Sequence, residues 1–492
     1  MPKPRSSSSR TTESSATYSL SCRSSPTRSA SARRKWFARW RRDGPPSWGA
    51  VAPSRSWARG HCRRSPASAA SRGVAPASAA SRGVAAVSRL RWGLVTDRAY
   101  LDNAATTPML PAARQRWLEV SESAGNPSSL HASGRAARQI VEEARETIAA
   151  SLGTRPSSII FTSGGTEANN LAVKGIYWRR QAALAPGAMV LASSIEHHAV
   201  LDPVEWLASH EGACINWLEV DSVGRVSLAQ IDEALGRGNV ALATVMWANN
   251  EVGTVQPVKE IAARCRAAGV PFHTDAVQAL GQIPMNIADV GADAVTISSH
   301  KVGGPFGVGA LVLDPAMAVT PVLHGGGQER DIRSGTLDAP AIAGFAVAVD
   351  HAVTQQADHE AMVRELRNDL VARVLAVVPG AILNGDPDLA DGGRLPGNAH
   401  FSFPGCEGDA LLMLLDAAGV DCSTGSACTA GIPEPSHVLL AMGVDERTAR
   451  ASLRFSVGRE SSQRDIDLVV ASLPAVVERA ERAGSLSVRS RS

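Results

Sequence analysis

The chain has 492 residues, with 50 Lys or Arg against 47 Asp or Glu and a formal net charge of +3. No uninterrupted apolar run of about 18 residues occurs, and no charged start leads into an apolar segment, so the sequence predicts neither membrane insertion nor secretion. The near balance of charge hides a split: residues 1–94 carry 19 Lys or Arg and only Glu13 and Asp43, whereas the remainder carries 31 basic and 45 acidic residues. An argument for nucleic-acid binding from basicity therefore cannot cover the whole chain.

Residues 1–94 are rich in Ser, Arg, Ala and Pro and contain the decapeptide Pro66–Ala75 repeated unchanged over Pro76–Ala85. A stretch without apolar periodicity cannot bury enough surface to offset chain entropy, and disorder is the expectation. Three readings stand: an organelle transit peptide, a polybasic arm for nucleic acid, or upstream sequence included before a true start near Val95. The five Trp residues scattered through it favour the third.

From Asp97 onward, apolar runs alternate with amphipathic stretches. Strands are predicted at 158–162, 188–193, 240–247, 270–274, 294–298 and 308–313, with helices at about 166–181, 199–210, 228–235 and 258–268. This alternation predicts a mostly parallel sheet with helices on both faces. One long helical pattern over 339–378 leads into short strands near 381–383, 398–403 and 453–457, a second α+β region. The division expected is a disordered extension over 1–94, a large α/β domain over 95–350 and a small α+β domain over 351–492.

Unusual residues follow the predicted strands, where ligands bind in such sheets. Thr162-Ser163-Gly164-Gly165-Thr166-Glu167 places small residues and free amides at a helix start, an anion cradle. It lacks the Gly-Lys-Ser/Thr ending of a nucleoside triphosphate loop. His197 follows the next strand, where an imidazole can stack on a planar cofactor or move protons, and Asn250 follows the one after, positioned to meet a ring oxygen. Asp275 and Gln278 come next. Pyridoxal phosphate needs an acid on its ring nitrogen, and a Lys–Asp pairing is its signature, so Asp275 fits the nitrogen and Gln278 the phenolic oxygen. Ser298-Ser299-His300-Lys301 supplies the lysine: its amine must shed charge to react, which burial promotes, while Ser298 and His300 can hold a phosphate.

Seven cysteines without close pairing predict neither disulfides nor a zinc knuckle. Cys428 lies among small residues in Ser423–Gly431 and is the expected nucleophile. Cys214, Cys265 and Cys406 read as fillers and Cys422 as a strand end. Arg454, inside an apolar strand, needs an anion such as a substrate carboxylate.

These motifs, together with Tyr100–Pro108, Gly125–Ser129, Asn249-Asn250-Glu251, His273–Gln278, His324–Arg330, Arg333–Thr336 and Arg454-Phe455-Ser456, resemble the cysteine desulfurases of the NifS/IscS type, class V, fold type I pyridoxal-phosphate enzymes, from about Tyr100 to the C-terminus. The resemblance implies a large pyridoxal-phosphate domain built on a seven-stranded-type, mostly parallel sheet, and a smaller C-terminal subdomain carrying the Cys428 loop. It implies Lys301 as the cofactor lysine and Asp275 on the pyridine nitrogen. Gln278 and Asn250 would meet the phenolic oxygen, and His197 the ring face. Phosphate contacts would come from Gly165, Thr166, Ser298 and His300, with Thr336 reaching across from a second subunit of a homodimer. Arg454, with Asn250 beside it, would hold the carboxylate of L-cysteine. Cys428 would accept sulfur as a persulfide and carry it to an acceptor, an iron–sulfur scaffold or a tRNA-thiolating enzyme. In some family members the equivalent cysteine also helps hold a transient iron–sulfur cluster. The expected location is cytoplasmic. Selenocysteine lyase and other class V aminotransferases share the lysine and aspartate; nucleic-acid binding rests only on the basic segment.

Overall fold

The computed structural model describes residues 98–390, 392–425 and 435–489. Twelve strands occur among them: β1 (Ala99–Tyr100), β2 (Ile159–Thr162), β3 (Met189–Ser193), β4 (Cys214–Leu218), β5 (Val240–Thr244), β6 (Phe272–Asp275), β7 (Ala294–Ser298), β8 (Gly309–Leu313), β9 (Ile382–Asn384), β10 (Asn398–Ser402), β11 (Val420–Asp421) and β12 (Ser452–Ser456). Seven form one sheet in the order β2-β8-β7-β6-β5-β3-β4. Only β8 runs against its neighbours, pairing antiparallel with both β2 and β7. β5, β7 and β8 are buried along their whole length. This is the expected state of strands covered on both faces, and it explains why they read as unbroken apolar runs.

One polar set within this sheet is matched across three strands. His273 of β6 is fully buried, its Nδ1 2.8 Å from Thr244 Oγ1 of β5 and its Nε2 3.1 Å from Thr296 Oγ1 of β7. Burial pushes its pKa down to about 3, so the ring is neutral.

A second core lies around the antiparallel sheet β12-β10-β9, where Phe401, Phe403 and Phe455 pack with Leu411, Leu453 and Leu473. β1 pairs in parallel with β11, and Ala99 and Leu101 are buried in this second core. The start of the described chain thus belongs with residues more than 300 positions later.

Sequence and structure differ in several places. The pattern over 339–378 is two helices, Ala339–Thr354 and Gln356–Val377, separated at Gln355. The first is buried along most of its length and the second along one face, so the chain turns where the burial demand changes. β4 went unpredicted because Cys-Ile-Asn-Trp-Leu is an edge strand, half-buried at four of its five residues. The helices Pro111–Ser121, Ala132–Ser151 and Gln463–Arg489 also escaped the reading of the sequence. Among the described residues no helix is long and apolar enough to cross a membrane.

Candidate active site

β2, β3, β5, β6 and β7 point the same way, so their carboxyl ends line one edge of the sheet. That edge gathers Gly164-Gly165-Thr166, Glu196-His197, Asn249-Asn250-Glu251, Asp275 and Ser298–Lys301, which in sequence are spread over more than 130 positions.

Lys301 ends a short 3-10 turn that follows β7 directly. Its half-buried side chain reaches the turn after β1, where Nζ donates to the carbonyls of Ala104 and Ala105, the latter at 2.9 Å. Burial, reinforced by the Arg454 charge, pulls its pKa down to about 8, against the opposing pull of Asp102 and Asp275. Near neutral pH a real fraction of this amine is uncharged.

Asp275, buried at the end of β6, has both carboxylate oxygens engaged. Oδ2 accepts from Asn169 Nδ2 at 2.6 Å and Oδ1 from the Val277 amide at 2.9 Å. Asn169 projects from the Gly165–Gln181 helix, and the sequence reading passed over it. Its signal was an amide inside an otherwise apolar helix face, where an unpaired polar group would be costly.

The cradle is the start of that same helix. Gly164 adopts φ +151°, accessible in practice to glycine alone. A Cβ on Gly165 would stand 3.0 Å from Val277 Cγ2 and 3.6 Å from Ser298 Cβ, so the turn lies against the end of β7. Ser298 is buried and Thr166 exposed. Glu167 accepts from the Ser163 amide and from Arg333 Nε, both at 2.7 Å, which ties the segment carrying Thr336 to the cradle. Thr336 itself is exposed. The His300 ring stacks on Phe306 with Nδ1 3.3 Å from Thr106 Oγ1, and burial with the Lys301 charge brings its pKa down to about 4.

The structure gives several predicted residues other partners. Arg454, expected to await an anion, already has one: Nη2 lies 2.8 Å from Asp102 Oδ1, and Nη1 donates to the Asn250 carbonyl at 2.8 Å. The pairing could not be read from sequence because 352 positions separate the two. Gln278 Nε2 donates to the Ala104 carbonyl at 2.9 Å, and Asn250 contributes its backbone oxygen here. His197 caps the next helix, Nδ1 accepting from the Ala199 amide, so the neutral ring carries its proton on Nε2. Burial lowers its pKa. His198 turns aside to Asp202 and packs on His437.

Two buried acids complete the edge. Glu196 accepts from the Met246 amide through Oε1 while Oε2 has no partner, and burial drives its carboxyl well above the usual range. Glu251 accepts from Ser436 Oγ, and a Cβ on Gly425 would lie 3.4 Å from its Oε2. Gly425 and Ser436 flank residues 426–434, so Cys428 lies outside the described residues. Cys265 and Cys406 are buried, their thiols pushed up to about 12 and 11, in keeping with inert fillers, and Cys422, buried directly after β11, has its thiol pushed up to about 12. No cluster of His, Cys, Asp or Glu suited to a metal occurs among the described residues.

The arrangement suits pyridoxal phosphate. A helix N-terminus beside Ser298 matches a phosphate, a doubly anchored buried carboxylate matches a pyridinium, and a lysine of depressed pKa matches an aldehyde.

The chain belongs to the class V aminotransferase family, whose model matches residues 99–469, and within it to the branch of IscS/NifS cysteine desulfurases. Membership implies pyridoxal phosphate as the cofactor. Over 386 residues the chain is 54% identical to an IscS-like cysteine desulfurase of Mycobacterium tuberculosis, covering 78% of this chain and 98% of that one. It is 40% identical to the cysteine desulfurase NifS of Azotobacter vinelandii, covering 77% and 92%. Among solved structures, a NifS-like protein superposes with a TM-score of 0.70 at 33% identity, covering 79% of this chain and all of that one. SspA in complex with cysteine gives 0.63 at 34% identity, covering 74% and 99%.

Proposed function

We propose that the chain is a pyridoxal-phosphate-dependent cysteine desulfurase that converts L-cysteine to L-alanine and leaves the sulfur as a persulfide on Cys428. The observation that carries this reading is the pairing of a lysine of depressed pKa, Lys301, with a carboxylate anchored by Asn169, at one sheet edge. When bound, the cofactor supplies an electron sink for bond breaking next to the amino-bearing carbon.

The chain's own residues then have distinct tasks. Asp275, with both oxygens fixed, holds the ring nitrogen protonated; Gln278 and Asn250 serve the phenolic oxygen; and Gly165, Thr166, Ser298 and His300 hold the phosphate. Thr336, exposed on the Arg333–Thr336 segment, reaches the phosphate of a second subunit in a homodimer. Arg454 and Asn250 position the substrate carboxylate. Lys301 takes and returns the proton at Cα, a role suited to an amine titrating near neutrality. His197 carries protons from its Nε2. The Cys428 thiolate attacks the substrate sulfur, the C–S bond breaks, and a proton replaces sulfur on the alanine carbon. The sulfur then passes to an acceptor, an iron–sulfur scaffold or a tRNA-thiolating enzyme, in the cytoplasm, and Cys428 is the residue that would share a transient cluster with a scaffold.

Purified enzyme incubated with L-cysteine, with and without reductant, tests this reading. The expected result is alanine equal to sulfide when reductant is present, and without it a Cys428 peptide heavier by one sulfur atom. C428A should abolish both while keeping the cofactor. Full sulfur release by C428A would support a lyase acting without the cysteine and overturn the persulfide route.

A further inference from the structure

Arg454 is fixed from several sides. Its backbone pairs with β10 opposite His400 and exchanges hydrogen bonds with Ser423, and its Nη1 is held by the Asn250 carbonyl. One edge of the guanidinium remains, formed by Nε and Nη2, the pair of N–H groups that can grip both oxygens of a carboxylate side-on. That edge is half used. Nη2 meets a single oxygen of Asp102, while Nε is buried and has no partner. A buried, unpartnered donor on a cation is costly, and it marks a position where a further acceptor binds.

The two members of the pair differ in freedom. The Arg454 side chain is 5% exposed and cannot leave, whereas the Asp102 side chain is 23% exposed and sits at the mouth of the turn that follows β1. Asp102 can swing toward water without baring a buried charge, provided another anion takes its place on Arg454.

We propose that Asp102 is a displaceable counter-ion for Arg454, holding the guanidinium charge balanced until a substrate carboxylate takes both Nε and Nη2 and sends Asp102 out to solvent. This rests on the reading of Arg454 as the carboxylate site. Asp102 thereby acts as a positioning residue that makes occupancy conditional on a ligand able to replace a full negative charge, and weak neutral acceptors do not displace it. The same carboxylate raises the Lys301 pKa against the lowering effect of Arg454, so its departure would bring the lysine closer to neutral titration.

The test measures, by calorimetry on the holoenzyme, binding of 3-mercaptopropionate, which has the thiol and carboxylate of the substrate without its amine, and of the uncharged 3-mercaptopropanamide. In D102N the competing charge is gone, and the dissociation constant for the carboxylate should fall about fivefold, the scale of one partly exposed charge pair, with that for the amide unchanged. D102S carries the same expectation should D102N fold poorly, and D102E, which keeps the charge, should bind both ligands as the natural enzyme does. Unchanged or weaker carboxylate binding in the folded variants, or equal shifts for both ligands, would overturn the proposal. Failure of the desulfurase reading shows separately, as absence of alanine from the unaltered enzyme.

Discussion

Asn169 Nδ2 stands 2.6 Å from Asp275 Oδ2, joining the first turns of the Gly165–Gln181 helix to the end of β6. The helix that opens at the Gly164–Thr166 turn therefore also holds Asp275, and in the proposed function these two would meet opposite ends of the cofactor. Any shift of this helix moves both contacts together.

Removing that link should be costly. N169A leaves Asp275 one charge-assisted hydrogen bond short, a loss of about 1.5–3 kcal/mol, which corresponds to cofactor retention weaker by about 10- to 150-fold. Equilibrium dialysis of the holoenzyme reads this directly. Retention equal to that of the unaltered protein would remove Asn169 from the site.

The depressed pKa of Lys301 gives a pH signature. The rate of cofactor uptake by the apoprotein should rise with pH and level off above a midpoint near 8, because the free amine is the reacting form. R454M should move this midpoint up and D102N down, following the sign of each charge. The unfolded chain holds the lysine proton up to its ordinary pKa near 10.5, so between about 8 and 10.5 it binds more protons than the folded one. The Lys301 contribution to stability accordingly grows as pH rises through that window.

A third expectation concerns the frame. Arg145 and Glu329 form a buried two-pronged ion pair at 2.7 and 2.8 Å, and Glu329 Oε2 also accepts from the Phe161 amide at 2.8 Å. E329Q leaves the buried guanidinium only the half-exposed Glu142 as counter-charge and should destabilise the fold by about 3 kcal/mol, whereas R145M/E329Q, which removes the charge and keeps an acceptor for the Phe161 amide, should recover part of that loss. Thermal melts of the three proteins decide it; a single variant as stable as the parent would count against a desolvated pair.

Much of the sheet edge was legible in sequence because parallel strands buried on both faces print as apolar runs, and their ends are marked by residues that packing does not explain. Ala294–Ser298 matches its predicted bounds, and Lys301 and Asp275 stood out for this reason. What stayed hidden was of two kinds. Asp102 and Arg454, or Arg145 and Glu329, are pairings across the chain that no local pattern records. Gln278 and His197 were read by side-chain chemistry alone, while the fold also uses them to hold the Ala104 carbonyl and a helix start.

His273, bridging Thr244 and Thr296, has a consequence for distance. Asp275 lies opposite Thr296 on β7, with Ser298 two and Lys301 five positions further along the chain. A strand can slip by two residues and keep its faces, which would carry Asp275 about 6.6 Å away from the lysine. Such a slip would also strand the imidazole away from both threonines in a water-free interior. The histidine works as a gauge block: the spacing between Asp275 and Lys301 is measured out by backbone registration, and this ring allows only one setting.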